Sequence, residues 1–247
     1  MMRVVDTGAA AAAENMSLAE GLLASLPNLK LPILHLFSWR SMACTYGVLV
    51  QPQELLDLEA CRSLGVDVAR RPTGGGVMFH VEDFSFSLVV PADHPRFSRQ
   101  PDANYTWLNS AVARALNAVI GSDRAELASA SVEAPNPRLA RFCMAAPTRW
   151  DLLWDGRKVA GPALRITRKG LLYQISIALR SAPEELLTRC AKDDRLVEQM
   201  RAHGGSLLGE ADHAALSELR ERLRQALQIS LSEALSPDPL PIQPVTQ

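Results

Sequence analysis

Three consecutive glycines, Gly74 to Gly76, constrain the fold of this chain more than any other feature of its sequence. They stand in the run RRPTGGGVMFH, between two segments with strand character, Val66–Arg70 and Val77–Phe79. Such glycines cost backbone entropy without burying a side chain, so they suit a close approach to a ligand or bare N–H groups facing an anion. Arg70 and Arg71 lead into the run and add forked donors for a carboxylate or a phosphate. The alternative is a hairpin turn with solvated arginines, and the run matches neither the Walker A pattern nor the dinucleotide-binding fingerprint.

Composition narrows the class of protein. The 247 residues are 47% hydrophobic and 21% charged, which is typical of a globular protein with one large domain or two small ones. A net charge of −1 predicts no bulk attraction to nucleic acid or to an anionic membrane. No run reaches the roughly 18 apolar residues that a membrane helix needs. Four cysteines without a CxxC pair, and a start without an export signal, predict a cytoplasmic protein with free thiols.

A second informative segment lies between Trp150 and Ile177. Its Asp155-Gly156 pair predicts a tight β-hairpin, and Lys158 follows directly on a strand with small neighbours. Five cations fall between positions 157 and 169. A lysine fixed on a strand can reach a carboxylate or a phosphate as a point charge, whereas the usual alternative for a charge run is a solvated sheet edge.

The remaining pattern predicts an α+β fold with a mixed, mostly antiparallel sheet packed by helices, because strands and helices do not alternate strictly. One domain is expected over residues 1–235, followed by a proline-rich flexible tail over residues 236–247. A capping box at Ser181–Glu184 predicts a helix that runs to about Met200. Other expected elements are helices over Ala9–Leu26, Asn104–Ile120 and Ala214–Ile229, a strand over Tyr46–Val50, and a surface connection over Gly121–Arg141.

The two informative segments together carry a resemblance to a known family. RRPTGGGVMFH and, further along, DGRKVAG are similar to motifs of the lipoate-protein ligase A and octanoyltransferase family, a relative of the biotin protein ligases. The opening VVDTG…AAENMSLAEGLL resembles that family's first strand and Asn-Met helix, and TYGVLVQ resembles its Gly-x-x-x-Gln element. The resemblance spans roughly residues 3–210.

The resemblance implies a biotin/lipoyl ligase-like catalytic domain with a tunnel for a lipoyl or octanoyl chain. It implies that Lys158 contacts the reacting carbonyl and phosphate as a catalytic residue. It places His80 at the edge of the acyl site, although a lone histidine at a strand end more often only packs. No metal ligands are identified. The residues implied to bind substrate are Arg70, Arg71, Thr73, Gly74, Gly75, Gly76, His80, Gly161 and Ala163.

The resemblance allows two chemistries. A ligase activates lipoate with ATP and Mg²⁺ to lipoyl-AMP and passes the acyl group to a lysine of a lipoyl carrier domain, of the 2-oxoacid dehydrogenase or H-protein type. An octanoyltransferase instead takes octanoyl from acyl carrier protein, and one branch holds it as a thioester on a cysteine. The ligase is favoured here, because the stretch from RRPTGGG to HPRFS and the Asn104-Tyr105 helix start look most like compact lipoate ligases. Either chemistry leaves open a need for an accessory subunit.

Cys143 carries the transferase alternative. It stands in FCMAAPT, 15 residues before Lys158, and resembles the cysteine of the transferase branch. A neighbouring lysine would favour its thiolate form, whereas the alternative is a buried structural cysteine. Four departures from the family pattern, each expected near the tunnel, motivate a third hypothesis, a non-catalytic lipoate- or adenylate-binding protein. These departures are Ala19, Pro162, Leu164 and Ile175. If the chain is an enzyme of this family, Gly74–Gly76 and Lys158 are expected to line one elongated, largely apolar pocket.

Overall fold

The computed structural model describes residues 1–209 and 213–236 of the chain. Within these ranges the chain forms strands, α-helices and three short 3-10 helices at Leu26–Asn28, Pro52–Glu54 and Leu139–Arg141. The strands are β1 (Arg3–Ala10), β2 (Ile33–Trp39), β3 (Ala43–Tyr46), β4 (Asp67–Arg70), β5 (Val77–His80), β6 (Asp83–Pro91), β7 (Ala125–Leu127), β8 (Leu152–Trp154), β9 (Arg157–Thr167) and β10 (Gly170–Ala178). The helices are α1 (Ala12–Ser25), α2 (Leu58–Ser63), α3 (Pro101–Ile120), α4 (Glu184–Cys190), α5 (Leu196–His203) and α6 (His213–Ala234).

The larger sheet lies at the centre of the fold. Its strands run in the order β1-β2-β6-β10-β9-β8-β7, and neighbours are antiparallel except for the parallel pair β1 and β2. Successive side chains of a strand point to opposite faces, so β10 contributes to two cores. Its Tyr173 packs with α3 and α6, whereas its Leu172 packs with Ala19 of α1 on the other face. Helices on both faces explain why β10 is buried along its whole length.

The smaller sheet carries the glycine run. Its order is β4-β3-β5, with β3 parallel to β4 and antiparallel to β5. Because β4 and β5 flank β3, the chain from Arg71 to Gly76 must cross over the end of β3 to join them. It crosses against Gly47, where a Cβ atom would overlap the carbonyl of Gly75. Gly47 also donates its backbone N–H to the carbonyl of Gly76 at 3.2 Å.

The predicted fold class is confirmed, with mixed sheets packed by helices, but two predicted elements near the start were wrong. Helix α1 begins at Ala12 rather than Ala9, because the alanines before it pair with β2 as the end of β1. This pairing outweighs the intrinsic helix propensity of alanine. The strand expected over Tyr46–Val50 ends at Tyr46, because Gly47 starts a turn in which Val50 donates to its carbonyl at 2.9 Å.

The helix predicted from Ser181 to Met200 is two helices, α4 and α5, and no capping box opens it. The residue that caps α4 is Pro183, which offers no side-chain hydrogen bond. The chain leaves the helix at Ala191, which bridges to Leu56, and Lys192 donates its N–H to Leu55 at 2.8 Å. This tertiary pairing interrupts a continuous apolar pattern.

Two other expectations near the hairpin had different outcomes. The Asp155-Gly156 hairpin joins β8 to β9, with φ of 49° and 72° at the two turn residues. The stretch predicted as a surface connection, Gly121–Arg141, contains β7, which pairs with β8.

The division into one domain and a tail stays a prediction, because the proposed tail beyond residue 236 lies outside the described residues. Among the described helices none is long and apolar enough to cross a membrane.

Candidate active site

A buried arginine organises the glycine run. Arg71 follows β4 and is only 6% exposed. Its Nε donates to the carbonyl of Gly74 at 3.1 Å, and its Nη2 donates to the carbonyl of Gly76 at 2.8 Å. Its Nη1 donates to the carbonyl and the hydroxyl of Thr45 on β3, at 3.2 and 3.3 Å. The planar guanidinium reaches several acceptors at once and so ties the loop to the smaller sheet.

The glycines are needed for space and for backbone conformation. A Cβ atom at Gly76 would overlap the carbonyl of Arg141, and Gly75 has a φ of 84°, which strains any other residue. Among the described residues, none accepts a hydrogen bond from the N–H groups of Gly74, Gly75 or Gly76. Backbone N–H groups without an internal partner are donors that can meet a negatively charged oxygen.

Cys143 lies directly against this loop. Its N–H donates to the carbonyl of Val77 at 2.8 Å, which fixes the cysteine beside the start of β5. Its Sγ lies 3.7 Å from Nη2 of Arg71. The positive charge of the guanidinium therefore stands where it stabilises negative charge on the sulfur or on an atom bonded to it.

The other cysteines differ from Cys143 in burial. Cys143 is partly exposed, whereas Cys44, Cys61 and Cys190 are fully buried. Burial raises the pKa of the Cys61 thiol to about 12 and raises the pKa values of Cys44 and Cys190 as well. These three thiols stay protonated near neutral pH, so Cys143 is the candidate nucleophile among the four.

Lys158 on β9 is buried and paired with a carboxylate. The side chain is 3% exposed, and its Nζ lies 2.5 Å from Oδ2 of Asp151. The same oxygen accepts from the N–H and the hydroxyl of Thr148, at 2.6 and 2.8 Å. A buried ion pair that is further hydrogen-bonded holds both charges in one place.

Gly161 lets the lysine and the cysteine come together. A Cβ atom there would lie 3.6 Å from Cβ of Cys143, 3.6 Å from Cε of Lys158 and 3.8 Å from its Nζ. The two side chains therefore border the same glycine. The structure brings Arg71, Cys143 and Lys158 into one neighbourhood, although they come from the smaller sheet, a loop and the larger sheet.

A small cavity of about 50 Å³ adjoins this neighbourhood. Its wall is mostly apolar, and the polar residues that line it are Thr45, Arg71, His80, Cys143, Gln174 and Ser176. Of the glycine run, Gly75 lines it, whereas Lys158 lies behind Gly161 and does not. The expectation that the whole run and Lys158 line one pocket is therefore only partly met. The apolar lining comprises Met16, Phe37, Trp39, Met78, Phe86, Pro162, Ala163 and Ile175.

His80 lines the cavity but is held in a buried polar network. Its Nε2 lies 2.8 Å from the hydroxyl of Thr45, and its Nδ1 lies 2.5 Å from Asp83 and 3.1 Å from Ser176. The Trp39 ring packs on its imidazole with centroids 4.2 Å apart. Thr45 links this network to Arg71, so His80 supports the site from one side.

The remaining predicted residues divide into near and distant ones. Ala163 and Gly161 line the cavity. Thr73 is fully buried, and its hydroxyl donates to Oε1 of Gln174 at 2.8 Å, so it anchors the glycine run rather than facing a ligand. Arg70 is exposed and makes no described contact with the site. Arg71 therefore lies at the cavity and Arg70 does not, and substrate binding by either arginine stays a prediction.

The four departures from the family pattern also separate. Pro162 and Ile175 line the cavity, as expected. Ala19 is fully buried in the core between α1 and the larger sheet, and Leu164 packs against the main core. The expectation that all four lie near the tunnel was therefore wrong for Ala19 and Leu164.

Several residues of the site were not predicted from the sequence. The hairpin pairs Leu153 of β8 with Lys158 of β9, and Asp151 stands just before β8. An acidic residue at this position was therefore detectable as a partner for Lys158. Thr45 gave no signal because only folding brings β3 to Arg71. Tyr105 on α3 is close enough for Asp151 to influence it, and burial raises its pKa to about 12, so its phenol stays protonated at neutral pH.

Sequence relatives match this chain over most of its length. It is 28% identical over 207 residues to the octanoyltransferase LipM of Anoxybacillus flavithermus, covering 81% of this chain and 73% of that protein. It is 30% identical over 201 residues to LipM of Carboxydothermus hydrogenoformans, covering 81% and 72%. It is 29% identical over 243 residues to LipM of Kyrpidia tusciae, covering 94% and 86%.

Solved structures show the same fold at lower identity. A lipoate-protein ligase A bound with ATP superposes with a TM-score of 0.68 at 20% identity, covering 95% of this chain and 84% of that one. A bi-partite lipoate protein ligase from Thermoplasma acidophilum, described together with its E2 lipoyl domain, superposes with a TM-score of 0.67 at 20% identity. The match covers 95% of this chain and 82% of that one. The family model described as the lipoyl protein ligase A/B catalytic domain matches residues 11–228. The family resemblance of the two motifs is thus confirmed, and the chain belongs to the lipoyl protein ligase A/B catalytic domain family of lipoylation enzymes.

Proposed function

We propose that this chain is an octanoyltransferase, which moves an octanoyl group from a carrier thioester through Cys143 to a lysine of a lipoyl carrier domain. The sequence alone favoured an ATP-dependent lipoate ligase. The relatives compared above are named octanoyltransferases at 28–30% identity, whereas the ligases match at 20% and support the fold alone. The order of the two hypotheses is therefore reversed.

The observation that carries this proposal is the position of Cys143. Its sulfur is 3.7 Å from the Arg71 guanidinium, and Gly161 gives it room beside Lys158. A cysteine that only fills core space has no need of two cations, and the other three cysteines show the buried surroundings typical of that role. A thiol placed between cations is instead suited to nucleophilic attack.

The first step transfers the acyl group to the enzyme. The Cys143 sulfur attacks the carbonyl carbon of the donor thioester, forming a new C–S bond and placing negative charge on the carbonyl oxygen. Arg71 and the free N–H groups of the glycine run supply the positive charge and donors that such an oxygen needs. The bond to the donor sulfur then breaks, and the donor thiolate takes up the proton that the Cys143 thiol gave up. One C–S bond is exchanged for another.

The second step releases the product. The neutral amine of the acceptor lysine attacks the acyl-Cys143 carbonyl, an amide C–N bond forms, and the Cys143 sulfur leaves. The nitrogen loses one proton and the leaving thiolate gains one. The Lys158–Asp151 pair, bordering Cys143 through Gly161, is placed to pass this proton because an ammonium can donate it and the carboxylate holds the lysine in position.

This chemistry needs no activation of a free acid, because the acyl donor is already a thioester. Residues 1–209 and 213–236 contain no group of three or more His, Cys, Asp or Glu side chains arranged to hold a metal ion, and no step above uses Mg²⁺. ATP, Mg²⁺ and free lipoate stay the requirements of the ligase alternative.

The acceptor of either chemistry is a lipoyl carrier domain, of the 2-oxoacid dehydrogenase or H-protein type. Acyl carrier protein is the donor for the octanoyl transfer. The free cysteines agree with a cytoplasmic setting, which stays a prediction.

The test compares two donors on the same purified protein. Incubation with octanoyl-acyl carrier protein is expected to add one octanoyl group to Cys143, detected by peptide mass spectrometry, and then to modify an added lipoyl domain. Cys143→Ala is expected to abolish both signals. Cys61→Ala is the matched control, because Cys61 is buried in the core and away from the cavity.

The other outcomes identify the competing hypotheses. Modification of the lipoyl domain from lipoate, ATP and Mg²⁺, unchanged in Cys143→Ala, would replace the transferase by the ligase. Tight lipoate binding by calorimetry, with no transfer from either donor, would replace it by a non-catalytic binding protein.

A further inference from the structure

A second and larger cavity lies beside the candidate site. It has a volume of about 260 Å³ and lies between the end of β10 and the helices α4 and α5. Met78 lines both this cavity and the small one, so a single side chain belongs to the wall between them. Its interior is largely apolar, with Phe79, Met144, Ala178, Leu187, Val197 and Met200 in the lining.

The wall between the cavities is made of flexible side chains. Met78, Met144 and Ala178 form one buried cluster, and Cys143 and Met200 pack against it. Cys143 therefore touches the same side chains that line the larger cavity. Methionine has three rotatable bonds and repacks with little cost, so a change of rotamer can connect the larger cavity to the cysteine.

The larger cavity also adjoins the strand that carries Lys158. Gly204 and Gly205, at the end of α5, line the cavity. Gly204 forms a bridge with Lys158, and Gly205 donates its N–H to the carbonyl of Lys158 at 2.7 Å. Both candidate reactive residues thus border this cavity through a direct neighbour.

The charges around the cavity leave two arginines without a carboxylate. Arg201 pairs with Glu184 at 2.5 Å, and Glu82 pairs with Arg220 at 2.6 Å. In the part of the chain that the structure describes, Arg157 and Arg180 have no ion pair. The third acid that lines the cavity, Asp83, pairs with His80 instead.

Arg180 in particular presents an unmet donor. Its Nε is buried and has no hydrogen-bond partner. A buried guanidinium donor without an acceptor is costly, and a charged ligand is one way to satisfy it. Arg157 donates its Nε to the carbonyl of Gly204 at 2.8 Å and its Nη2 to the carbonyl of Arg201, but neither bond neutralises its charge.

We propose that this cavity receives the phosphopantetheine arm of the acyl donor. The inference rests on the proposed transferase function. The neutral chain of the arm lies along the apolar lining, its phosphate meets Arg180 and Arg157, and its thioester end reaches Cys143 past Met78. Phosphate favours arginine pairs because the guanidinium forks match its oxygens.

Two donors of different length test the proposal on the full chain. Both are octanoyl thioesters, one of 4′-phosphopantetheine and one of N-acetylcysteamine, which keeps the reacting end but lacks the phosphate. The measured quantity is the ratio of the two kcat/KM values for acylation of Cys143. Arg180→Gln is expected to lower this ratio by about tenfold or more, since a charge-assisted hydrogen bond is lost. Arg180→Lys is expected to keep part of it.

The control is Arg168→Gln, because Arg168 is exposed beyond the opposite end of β9. The ratio is expected to stay at the wild-type value in this variant, and circular dichroism checks that each variant is folded. An unchanged ratio in both Arg180→Gln and Arg157→Gln would overturn the proposal.

Two further measurements distinguish phosphopantetheine from a nucleotide as the source of the phosphate. They also distinguish failure of the binding site from failure of the transferase function. Calorimetry with phosphopantetheine alone is expected to show binding that Arg180→Gln weakens. ATP bound more tightly, with the same loss in Arg180→Gln, would assign the cavity to a nucleotide and overturn the pantetheine assignment. If neither thioester acylates the wild-type protein, the transferase function fails, and the calorimetry with phosphopantetheine still decides the binding site.

Discussion

The two sheets each bring one cation to Cys143, but they hold it in different ways. The larger sheet presents Lys158, whose charge is balanced at 2.5 Å by the buried carboxylate of Asp151. The smaller sheet presents Arg71, which has no ion pair among the described residues and donates to neutral carbonyls of Gly74, Gly76 and Thr45. Its charge is therefore left to act on the nearby sulfur.

The difference indicates different tasks. An ammonium can give up and regain a proton, and a carboxylate beside it holds it in place, so the larger sheet supplies a group suited to proton transfer. A guanidinium stays protonated in proteins and binds several acceptors in a fixed plane, so the smaller sheet supplies fixed charge and shapes the glycine loop. Each prediction below perturbs one side of this comparison.

The largest effect is expected from the larger sheet. Lys158→Met removes the proton-transfer group, and the rate of octanoyl transfer to a lipoyl domain is expected to fall by roughly 10²–10⁴-fold. The same change leaves the Asp151 carboxylate buried without a counter-charge, which costs about 3–5 kcal/mol of unfolding free energy.

The double variant Lys158→Met with Asp151→Asn separates these two effects. It removes both charges, so urea unfolding is expected to recover most of the lost stability while the transfer rate stays low. A double variant that transfers octanoyl at the wild-type rate would remove Lys158 from the mechanism.

An intermediate effect is expected from the smaller sheet. Arg71→Lys keeps the charge but lacks the planar fork that reaches four acceptors, so the acylation rate of Cys143 is expected to fall by about tenfold or more, measured by mass spectrometry. Arg70→Lys is the matched control, because Arg70 is exposed at the end of β4, and surface changes usually stay within about 0.5 kcal/mol. Equal rates in the two variants would show that Arg71 contributes charge without positioning.

A smaller effect on stability is expected within the glycine run itself. Gly76→Ala forces its Cβ atom into the backbone carbonyl of Arg141, and a backbone shift of this kind costs about 1–3 kcal/mol of unfolding free energy. A Cβ atom at Gly74 meets nothing within 4 Å, so Gly74→Ala is expected to unfold at the wild-type urea midpoint. Similar midpoints for both variants would mean that the loop is free to move away from Arg141.

The sequence predicted the parts of this site that depend on local pattern. The Asp155-Gly156 turn fixed Lys158 on a strand, because a two-residue turn of this type has a strong local preference. The glycine run predicted a close approach to a ligand, which stays a prediction, and the structure shows in addition that its backbone packs closely on Gly47 and Arg141. At the hairpin the signal and its structural cause lie within a few residues of each other, whereas the glycine run packs against segments that are distant in the chain.

The parts that sequence reasoning missed depend on contacts between distant segments. Thr45 meets Arg71 only because β3 lies between β4 and β5, and helix α4 ends at Cys190 only because the following residues pair with Leu56. Arg70 and Arg71 are equivalent in the sequence, yet alternation along the chain exposes one and buries the other. Which of the two arginines is buried depends on the strand register to within one residue, and that register depends on the order of the strands in the sheet.

The smallest effect concerns acid stability of the larger sheet. His35 on β2 is buried, and burial lowers its pKa from 6.5, with only partial compensation from the charge of Asp6. Between the lowered native value and the unfolded value of about 6.5, the unfolded chain binds more protons, so stability is lost as the pH falls through this window. The urea concentration at the unfolding midpoint is expected to decrease as the pH is lowered from about 7 to about 5.

His35→Gln is expected to reduce this dependence of the midpoint on pH, and His94, whose pKa burial also lowers, is expected to account for part of the remaining dependence. Because His35 hydrogen-bonds Thr7 on β1, a slope unchanged in His35→Gln would mean that this edge of the larger sheet opens before the rest unfolds.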